Sequence, residues 1–216
     1  VSERATEYAK FVTRIDSEPE LLESIREESF RFPLVMGVTV AFEPGAFAGK
    51  ERYSPFFNKA RNEFQFIEET YDYAARALET AKWYTAVVDS GKARWSEPYF
   101  GKAAETMVVD YGVPLVDDAG RTIGIVDYAI SLNDFTRIVD ALSVGEAGYG
   151  FTYDQTGAIL SHPNPIYLLQ NVFRLRDGKD EAIVQSLRED AEGVVAYNST
   201  YTYKRSWFFF RELKST

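Results

Sequence analysis

The spacing of hydrophobic and polar positions predicts a helical N-terminal region followed by strands. Residues 1–16 carry apolar side chains at mostly three- and four-residue spacing, which is typical of an amphipathic helix. Ser17 and Glu20 form a capping-box start for a second helix, which should end near Phe30. Over residues 34–42 the pattern changes to β-branched and aromatic side chains, which predicts the first strand.

The strongest strand signals lie in the middle of the chain. Met107–Val116 and Thr122–Ser131 are the clearest strands, and they are joined by residues 117–120, which suit a tight hairpin turn. Strands joined by a tight turn must pair antiparallel. The other predicted elements are strand and loop over 53–67, helices over 75–88, 131–142 and 180–187, a hairpin over 149–161, and strands over 194–203 and 207–213.

This order predicts an α+β fold of two lobes, in which a long N-terminal helix is followed by two antiparallel sheets, each with helices on one face. The boundary between the lobes is expected near residues 143–147. The pattern Asp-x-x-Gly occurs at 117–120 and again at 154–157, which suggests a duplicated unit.

Composition and charge exclude several classes of function. The 216 residues have a net charge of -9, so a nucleic-acid partner is not expected. Cysteine is absent and His162 is the single histidine, so thiol catalysis and histidine-rich metal sites are excluded, and His162 is interpreted as structural. No apolar stretch is long enough to cross a bilayer, and the start at Val1 suggests a piece of a longer protein.

Catalytic motifs are also absent. The sequence has no nucleophile elbow, no phosphate-binding loop and no dinucleotide fingerprint. Pairs of carboxylates could support a hydrolase, but no nucleophile, metal set or oxyanion motif accompanies them. The chain is therefore predicted not to be an enzyme and to need no cofactor or metal.

The predicted hairpin places two carboxylates together. Side chains alternate along strands, and pairing Asp118 with Arg121 across the turn places Asp110 opposite Ala129. Asp127 lies two residues before Ala129, so Asp110 and Asp127 should share one face. Because unpaired buried carboxylates are costly, either that face is wet, or the carboxylates meet a cation, or one of them holds a proton.

A cluster of aromatic residues precedes this hairpin. Aromatic side chains make up 15% of the chain, and a ring-lined cleft and a plain aromatic core explain the cluster equally well. Its members are Tyr71, Tyr73, Trp83, Tyr84, Trp95, Tyr99 and Phe100.

Motifs along nearly the whole chain resemble the double Cache family, the tandem PAS-like sensor domains of histidine kinases, chemotaxis receptors and membrane-anchored serine phosphatases. They are Tyr53-Ser54-Pro55, Trp83-Tyr84, Trp95-Ser96-Glu97-Pro98-Tyr99, Met107–Val113 with Pro114, Gly124-Ile125-Val126, Gly148-Tyr149-Gly150, and Gly157 to Pro163. The resemblance implies an extracytoplasmic domain tethered to the cell membrane by flanking helices. It implies a helical stalk over residues 1–32 and two PAS-like lobes, each with a central antiparallel sheet and flanking helices. The membrane-distal lobe, over 33–142, would hold the ligand, and the membrane-proximal lobe would span 143–216.

The resemblance also indicates what kind of ligand to expect. Amino-acid-binding members carry an Arg and two Asp residues at positions occupied here by Ala81, Gly101 and Ala129, so an ordinary amino acid is not expected. Asp110 and Asp127 with aromatic rings would suit an amine or a quaternary ammonium. The predicted ligand-binding residues are Tyr73, Trp83, Tyr84, Trp95, Tyr99, Asp110 and Asp127.

A second function is compatible with the sequence. In that interpretation the domain holds no ligand and its aromatic surface docks a partner or pairs two receptor copies. A homodimer through the N-terminal helix is the expected form of such pairing.

Overall fold

The computed structural model describes residues 2–76, 78–141, 148–174, 181–198 and 203–212. The chain divides into two compact units, Val1–Ile138 and Val139–Thr216, and each is described by itself. The boundary expected at residue 143 lies outside the described residues. Among the described residues, the helices are too short or too polar to cross a membrane.

The first unit contains both helices and strands. Its helices are α1 (Ser2–Val12), α2 (Glu18–Arg31), a 3-10 turn (Glu79–Ala81), α3 (Lys82–Ser90) and α4 (Leu132–Asp140). Its strands are β1 (Val35–Phe42), β2 (Pro55–Asn58), β3 (Glu63–Phe66), β4 (Arg94–Trp95), β5 (Tyr99–Gly101), β6 (Thr106–Val116) and β7 (Thr122–Ser131).

These seven strands form one antiparallel sheet in the order β3-β2-β1-β7-β6-β4, and β5 also pairs with β6. The central strand β7 is flanked by β1 and β6 and is buried along most of its length. The prediction of a mixed α+β fold with an antiparallel sheet is confirmed for this unit.

Alternating side chains give the sheet two different faces. Val126 and Tyr128 of β7 pack in one core with the N-terminal helices, whereas Ile125 and Ala129 pack in a second core with α3. Burying both faces fits a strand that lies in the middle of the sheet. The sheet is thus covered by α1 and α2 on one side and by α3 on the other.

The N-terminal region is two helices rather than one long helix. α1 ends at Val12 and α2 begins at Glu18, with a non-helical connection between them. Ser17 is the N-cap of α2, but its side chain makes no capping hydrogen bond, so the predicted capping box does not form. Backbone pairing of Leu21 N with Ser17 O starts the helix instead.

A buried carboxylate links these two helices to the sheet. Glu28 of α2 has a relative exposure of 1%. It pairs with Arg4 of α1 at 3.3 Å and with Arg31 at 3.1 Å, and it accepts a 3.0 Å hydrogen bond from the Tyr128 hydroxyl of β7. Burial, followed by the charge of Glu28, raises the pKa of Tyr128, so the phenol stays protonated as a donor.

The second unit contains two separate hairpins among its described residues. Strands β8 (Thr152–Tyr153) and β9 (Ile159–Ser161) pair with each other, as do β10 (Glu192–Asn198) and β11 (Arg205–Arg211). Helix α5 (Glu181–Glu189) precedes β10. The described strands do not join into the single central sheet that was predicted for this lobe.

His162 follows β9 and is buried. Its Nδ1 accepts a 3.0 Å hydrogen bond from the Asn164 backbone amide, and its ring packs 4.6 Å from that of Tyr167. Burial lowers the pKa of His162, which favours the neutral ring. These contacts agree with a structural role.

Replacing Glu28 by alanine should destabilise the chain by about 2 kcal/mol, because it leaves the buried Tyr128 hydroxyl without its acceptor. Urea unfolding would measure this change in the free energy of unfolding. Glu23→Ala is the matched control, since Glu23 is an exposed residue of the same helix, and its effect should stay within about 0.5 kcal/mol. Equal effects of the two substitutions would contradict a structural role for Glu28.

Candidate ligand-binding site

Strands β6 and β7 place two aspartates on the face covered by α3. Asp110 pairs with Ala129 and Gly112 pairs with Asp127, so the two carboxyls lie diagonally across adjacent strands. Asp110 has a relative exposure of 2% and Asp127 of 4%. On the other side of β7, the buried Thr39 of β1 pairs with Asp127. The predicted register is therefore the observed one.

The segment before β6 fixes the position of Asp110. The Tyr99 hydroxyl of β5 donates a short hydrogen bond to Asp110 Oδ2. The Asp110 amide donates to Ser96 Oγ at 2.9 Å, and the Ser96 amide donates to the Asp110 carbonyl at 2.8 Å. One carboxyl oxygen is thereby held, and the other, Oδ1, is left for another partner.

Helix α3 closes over Asp127. A Cβ atom added to Gly112 would lie 2.5 Å from Val87 Cγ2 and 3.4 Å from Asp127 Oδ1. The missing side chain of Gly112 thus lets α3 approach the strand directly above the Asp127 carboxyl. Trp83 precedes Val87 by one helical turn and so projects from the same side of the helix.

An aromatic side chain from the segment before α3 completes the cluster. Tyr71 is buried and packs edge-on against Trp83, with ring centroids 5.9 Å apart. Its hydroxyl accepts a 3.1 Å hydrogen bond from the Ala103 amide. Burial is the main cause of its raised pKa, and the charges of Asp110 and Asp127 add to it, which places the phenol near both carboxyls.

Burial makes the ionised forms of these acids unfavourable. It raises the pKa of Asp110 to about 7, against a lowering contribution from the Tyr99 hydrogen bond. Burial and the nearby charge of Asp110 raise the pKa of Asp127 well above its ordinary value. The pKa of Tyr99 is raised by burial and by both carboxylates, so Tyr99 remains a hydrogen-bond donor.

Three polar atoms of this region have no hydrogen-bond partner. In the described part of the chain, five buried side-chain atoms lack a partner, and they include Trp83 Nε1, Asp110 Oδ1 and Asp127 Oδ1. Buried polar atoms are nearly always paired, because leaving one unpaired costs about 1–3 kcal/mol. One donor and two acceptors are therefore available to a bound molecule.

The structure places the remaining predicted site residues differently. The Tyr73 hydroxyl donates to the Phe42 carbonyl at 3.1 Å, and the Tyr84 hydroxyl donates to Glu43 Oε1 at 2.7 Å. Both rings pack beside Trp83 and support it, while their hydroxyls are occupied elsewhere.

Trp95 is not brought to the carboxylates. It pairs with Tyr111 across β4 and β6, and their rings pack 4.9 Å apart. Tyr111 alternates with Asp110 and belongs to the core on the opposite face of the sheet. Trp95 is also about half exposed, at 47%.

Sequence reasoning left three contributors out of the predicted site: Tyr71, Thr39 and Ser96. Thr39 could have been found from the alternation along β1, once β1 was paired with β7. Tyr71 belongs to the aromatic cluster together with Trp83, but no pattern distinguished it from the core residues as a member of the site. Ser96 lies in a polar segment whose hydrogen bonds follow no periodic signal.

No group of three or more His, Cys, Asp and Glu side chains that could hold a metal ion occurs among the residues with described positions. The described residues of this region offer two acidic side chains and aromatic rings, groups that in general can stabilise a cationic or donor-rich molecule.

Residues 21–137, more than half of the chain, match the family model described as methyl-accepting chemotaxis protein-like, first PDC sensor domain. That family consists of sensor domains that are not themselves catalytic, and the prediction that this part is not an enzyme is confirmed.

Individual relatives agree with the family match. The chain is 29% identical over 90 residues to the methyl-accepting chemotaxis protein PctB of Pseudomonas aeruginosa. The aligned segment covers 42% of this chain and 14% of PctB. The fold of this chain is similar to that of the extracellular domain of mmHK1S-Z3, a protein assigned as a histidine kinase, with 21% identity and a TM-score of 0.78 over 97% of this chain and 80% of that one.

A second similar structure contains a ligand. It is the ligand-binding domain of the Pseudomonas aeruginosa chemoreceptor PctC in complex with GABA, with 17% identity and a TM-score of 0.63 over 90% of this chain and 77% of that one. At these identities the two structures show a shared fold.

The raised pKa values predict how stability changes with pH. The folded chain holds protons on Asp110 and Asp127 that the unfolded chain loses near pH 4, so stability should fall as pH rises from about 4 through the folded pKa of Asp110, which is about 7, and the raised pKa of Asp127. Asp127→Asn removes one of these groups and should be more stable than the parent chain at pH 8, by roughly 2 kcal/mol. Urea unfolding at pH 5 and pH 8 would measure both effects.

Asp118→Asn is the control for this experiment. It removes the same charge from an exposed position in the turn between the same two strands, and it should keep the parent pH profile. An unchanged pH dependence in Asp127→Asn would show that the buried acids are not protonated in the folded chain.

Proposed function

Because this chain belongs to the family of methyl-accepting chemotaxis protein-like first PDC sensor domains, we propose that it is the extracytoplasmic sensing part of a transmembrane receptor. The receptor would be a chemotaxis receptor, a histidine kinase or a membrane-anchored serine phosphatase. The domain would lie outside the cytoplasmic membrane, in the periplasm or outside the cell, and flanking membrane helices would tether it. In this proposal the helical stalk spans 1–32 and the two PAS-like lobes span 33–142 and 143–216.

The ligand is proposed to bind in the distal lobe, between α3 and the sheet. The supporting observation is the set of unpaired buried atoms, Trp83 Nε1, Asp110 Oδ1 and Asp127 Oδ1, on one face of the sheet and on the helix above it. Trp83, Tyr71 and Tyr99 provide rings around the carboxyls, and Tyr73 and Tyr84 support the ring of Trp83.

The chemistry of the site favours a ligand that carries a positive charge. Two carboxyls and several rings stabilise an ammonium group, whereas a carboxylate ligand would enter a site that offers no cation to pair with it. Ala81, Gly101 and Ala129 cannot hold the α-carboxylate and α-ammonium groups of an amino acid in the way the resembled family does. The GABA bound by the similar PctC domain carries both an amine and a carboxylate, and only its amine matches this chemistry.

A connection from this site to the N-terminal helices supports a signalling role. Asp127 faces the proposed ligand, and the next residue, Tyr128, faces the opposite side and donates to Glu28 of α2. Glu28 in turn pairs with Arg4 of α1. A ligand that shifts β7 would therefore change the contacts of both helices, provided that it binds the two positions of the strand with different affinity.

The second candidate function is a ligand-free interaction or dimerisation module. One observation favours it: Phe11 of α1 and Phe30 of α2 are half exposed, at 47% and 54%. Pairing of two chains through the N-terminal helix would cover such side chains. The binding experiment below separates this candidate from the sensor.

Isothermal titration against a panel of amines, amino acids and simple carboxylates should show binding of amines. Asp110→Asn should weaken that binding at least tenfold, about 1.4 kcal/mol, since a charged acceptor is lost. Trp83→Phe keeps an aromatic ring but removes the indole N–H, and it should weaken amine binding less than Asp110→Asn does. Asp118→Asn, in the exposed turn, should bind as the parent chain does. Binding of carboxylates alone would contradict a cationic ligand, and binding of none would favour the interaction module.

Spin labels would test the proposed signal. The sequence contains no cysteine, so labels can be placed at exposed sites such as Lys10 in α1 and Asp118 at the end of the β6–β7 hairpin. A saturating amine from the panel should change the Lys10–Asp118 distance by about 1–2 Å, the usual size of helix shifts in such switches. A label pair at Glu63 and Asp118, both in the sheet region, should not move. An unchanged Lys10–Asp118 distance would contradict transmission through α1.

A further inference from the structure

The two buried carboxyls have no cation to balance them. Among the described residues, neither Asp110 nor Asp127 forms an ion pair, and the hydrogen bond from Tyr99 is their one side-chain partner. Leaving a charge buried and unpaired is strongly unfavourable, and two adjacent carboxylates would also repel each other. A carboxyl pair in this situation keeps a proton.

The groups that face this pair do not change that conclusion. Tyr99 of β5 and Tyr71 of the segment before α3 are both neutral phenols with raised pKa values. The α3 helix presents Trp83 and Val87, and β1 presents Thr39, none of which titrates. On β4, Arg94 pairs with Gly112, but its side chain is exposed.

We propose that ligand binding at this site, which rests on the function proposed above, exchanges a proton held between Asp110 and Asp127 for the protonated primary amine of the ligand. The exchange keeps the charge of the buried site constant. One ammonium enters with its positive charge, one O–H bond of a carboxyl breaks, and that proton leaves to solvent. The carboxylate that forms then pairs with the ammonium.

The unpaired atoms specify a primary amine rather than a quaternary one. Asp110 Oδ1 and Asp127 Oδ1 are acceptors that lie on neighbouring strands of the same face. A primary ammonium offers three N–H donors and can satisfy both oxygens at once. A quaternary ammonium has no N–H donors, so it would bury the two carboxyl oxygens without a hydrogen bond. The free-energy cost of these unpaired oxygens would exceed the gain from its attraction to the rings.

Benzylamine and benzyltrimethylammonium form a matched pair of probes, because they share the ring and the charge and differ in N–H donors. Calorimetric titration of the 216-residue chain at pH 6, in buffers of different ionisation enthalpy, would count the protons released per ligand. About one proton should leave for each benzylamine bound. Benzylamine affinity should rise about tenfold from pH 5 to pH 6, as expected for one linked proton, because its ammonium, like that of lysine with a pKa near 10, stays charged.

Two variants make the result specific to the site. Asp127→Asn keeps the shape of the side chain but cannot exchange a proton as a carboxyl does, so proton release should be lost and the affinity should fall at least tenfold. Asp118→Asn removes a carboxylate from the exposed turn of the same hairpin and should change neither quantity. Circular dichroism of each variant would confirm that it is folded.

The outcomes separate this inference from the proposed function. Benzylamine binding that depends on Asp127 but releases no proton would overturn the exchange and leave the ligand site intact. Equal affinity for the quaternary probe would overturn the requirement for N–H donors. If neither probe binds, but a carboxylate binds in a Trp83-dependent manner, the exchange is wrong although the domain is a sensor. If no panel member binds at all, both proposals fail.

Discussion

The burial of two carboxyl groups on adjacent central strands constrains the arrangement of the groups around them. The pleat of β6 and β7 directs Asp110 and Asp127 toward α3, where water has little access. Tyr99 satisfies one oxygen, Ser96 anchors the strand behind it, and the bare backbone of Gly112 lets the helix close. Apolar residues of similar volume in place of a buried charged pair often make a protein more stable. A role in binding accounts for these two acids better than a role in stability does.

On the opposite face of β7, a buried carboxylate is stabilised by charged partners. Glu28 is as deeply buried as Asp110, yet it has two arginine partners and a phenol donor. One carboxylate is therefore fully compensated by the protein, whereas the pair on the ligand side is not. Because Asp127 and Tyr128 are consecutive residues, the compensated network and the uncompensated pair share a single stretch of backbone. Any adjustment of that stretch acts on both faces.

The parts of this structure that depend on local periodicity could be predicted from the sequence. The hairpin register followed from alternation, and it is correct although the turn closes at Asp117 and Arg121, with an irregularity between Leu115 and Val116. The placement of Trp95 could not be predicted in the same way. Trp95 and Tyr99 are four residues apart and would share a face in a continuous strand, but the interruption between β4 and β5 shifts the pairing with β6 by one residue. Tyr71 and Ser96 entered the site through tertiary contacts that no spacing in the chain encodes.

The rings and the carboxyls of the site have different consequences for selectivity. Rings such as Trp83 and Tyr71 favour apolar contact and a nearby positive charge, and they discriminate weakly between ligands of similar size. Carboxyl oxygens that are buried and unpaired discriminate strongly, because a ligand without N–H donors leaves them desolvated and without compensation. In the proposed site, the affinity for a ligand would thus be set by the whole aromatic surface, but the choice between ligands would be set by two oxygen atoms. Their positions depend on the register of one hairpin, so that register would be the structural determinant of specificity.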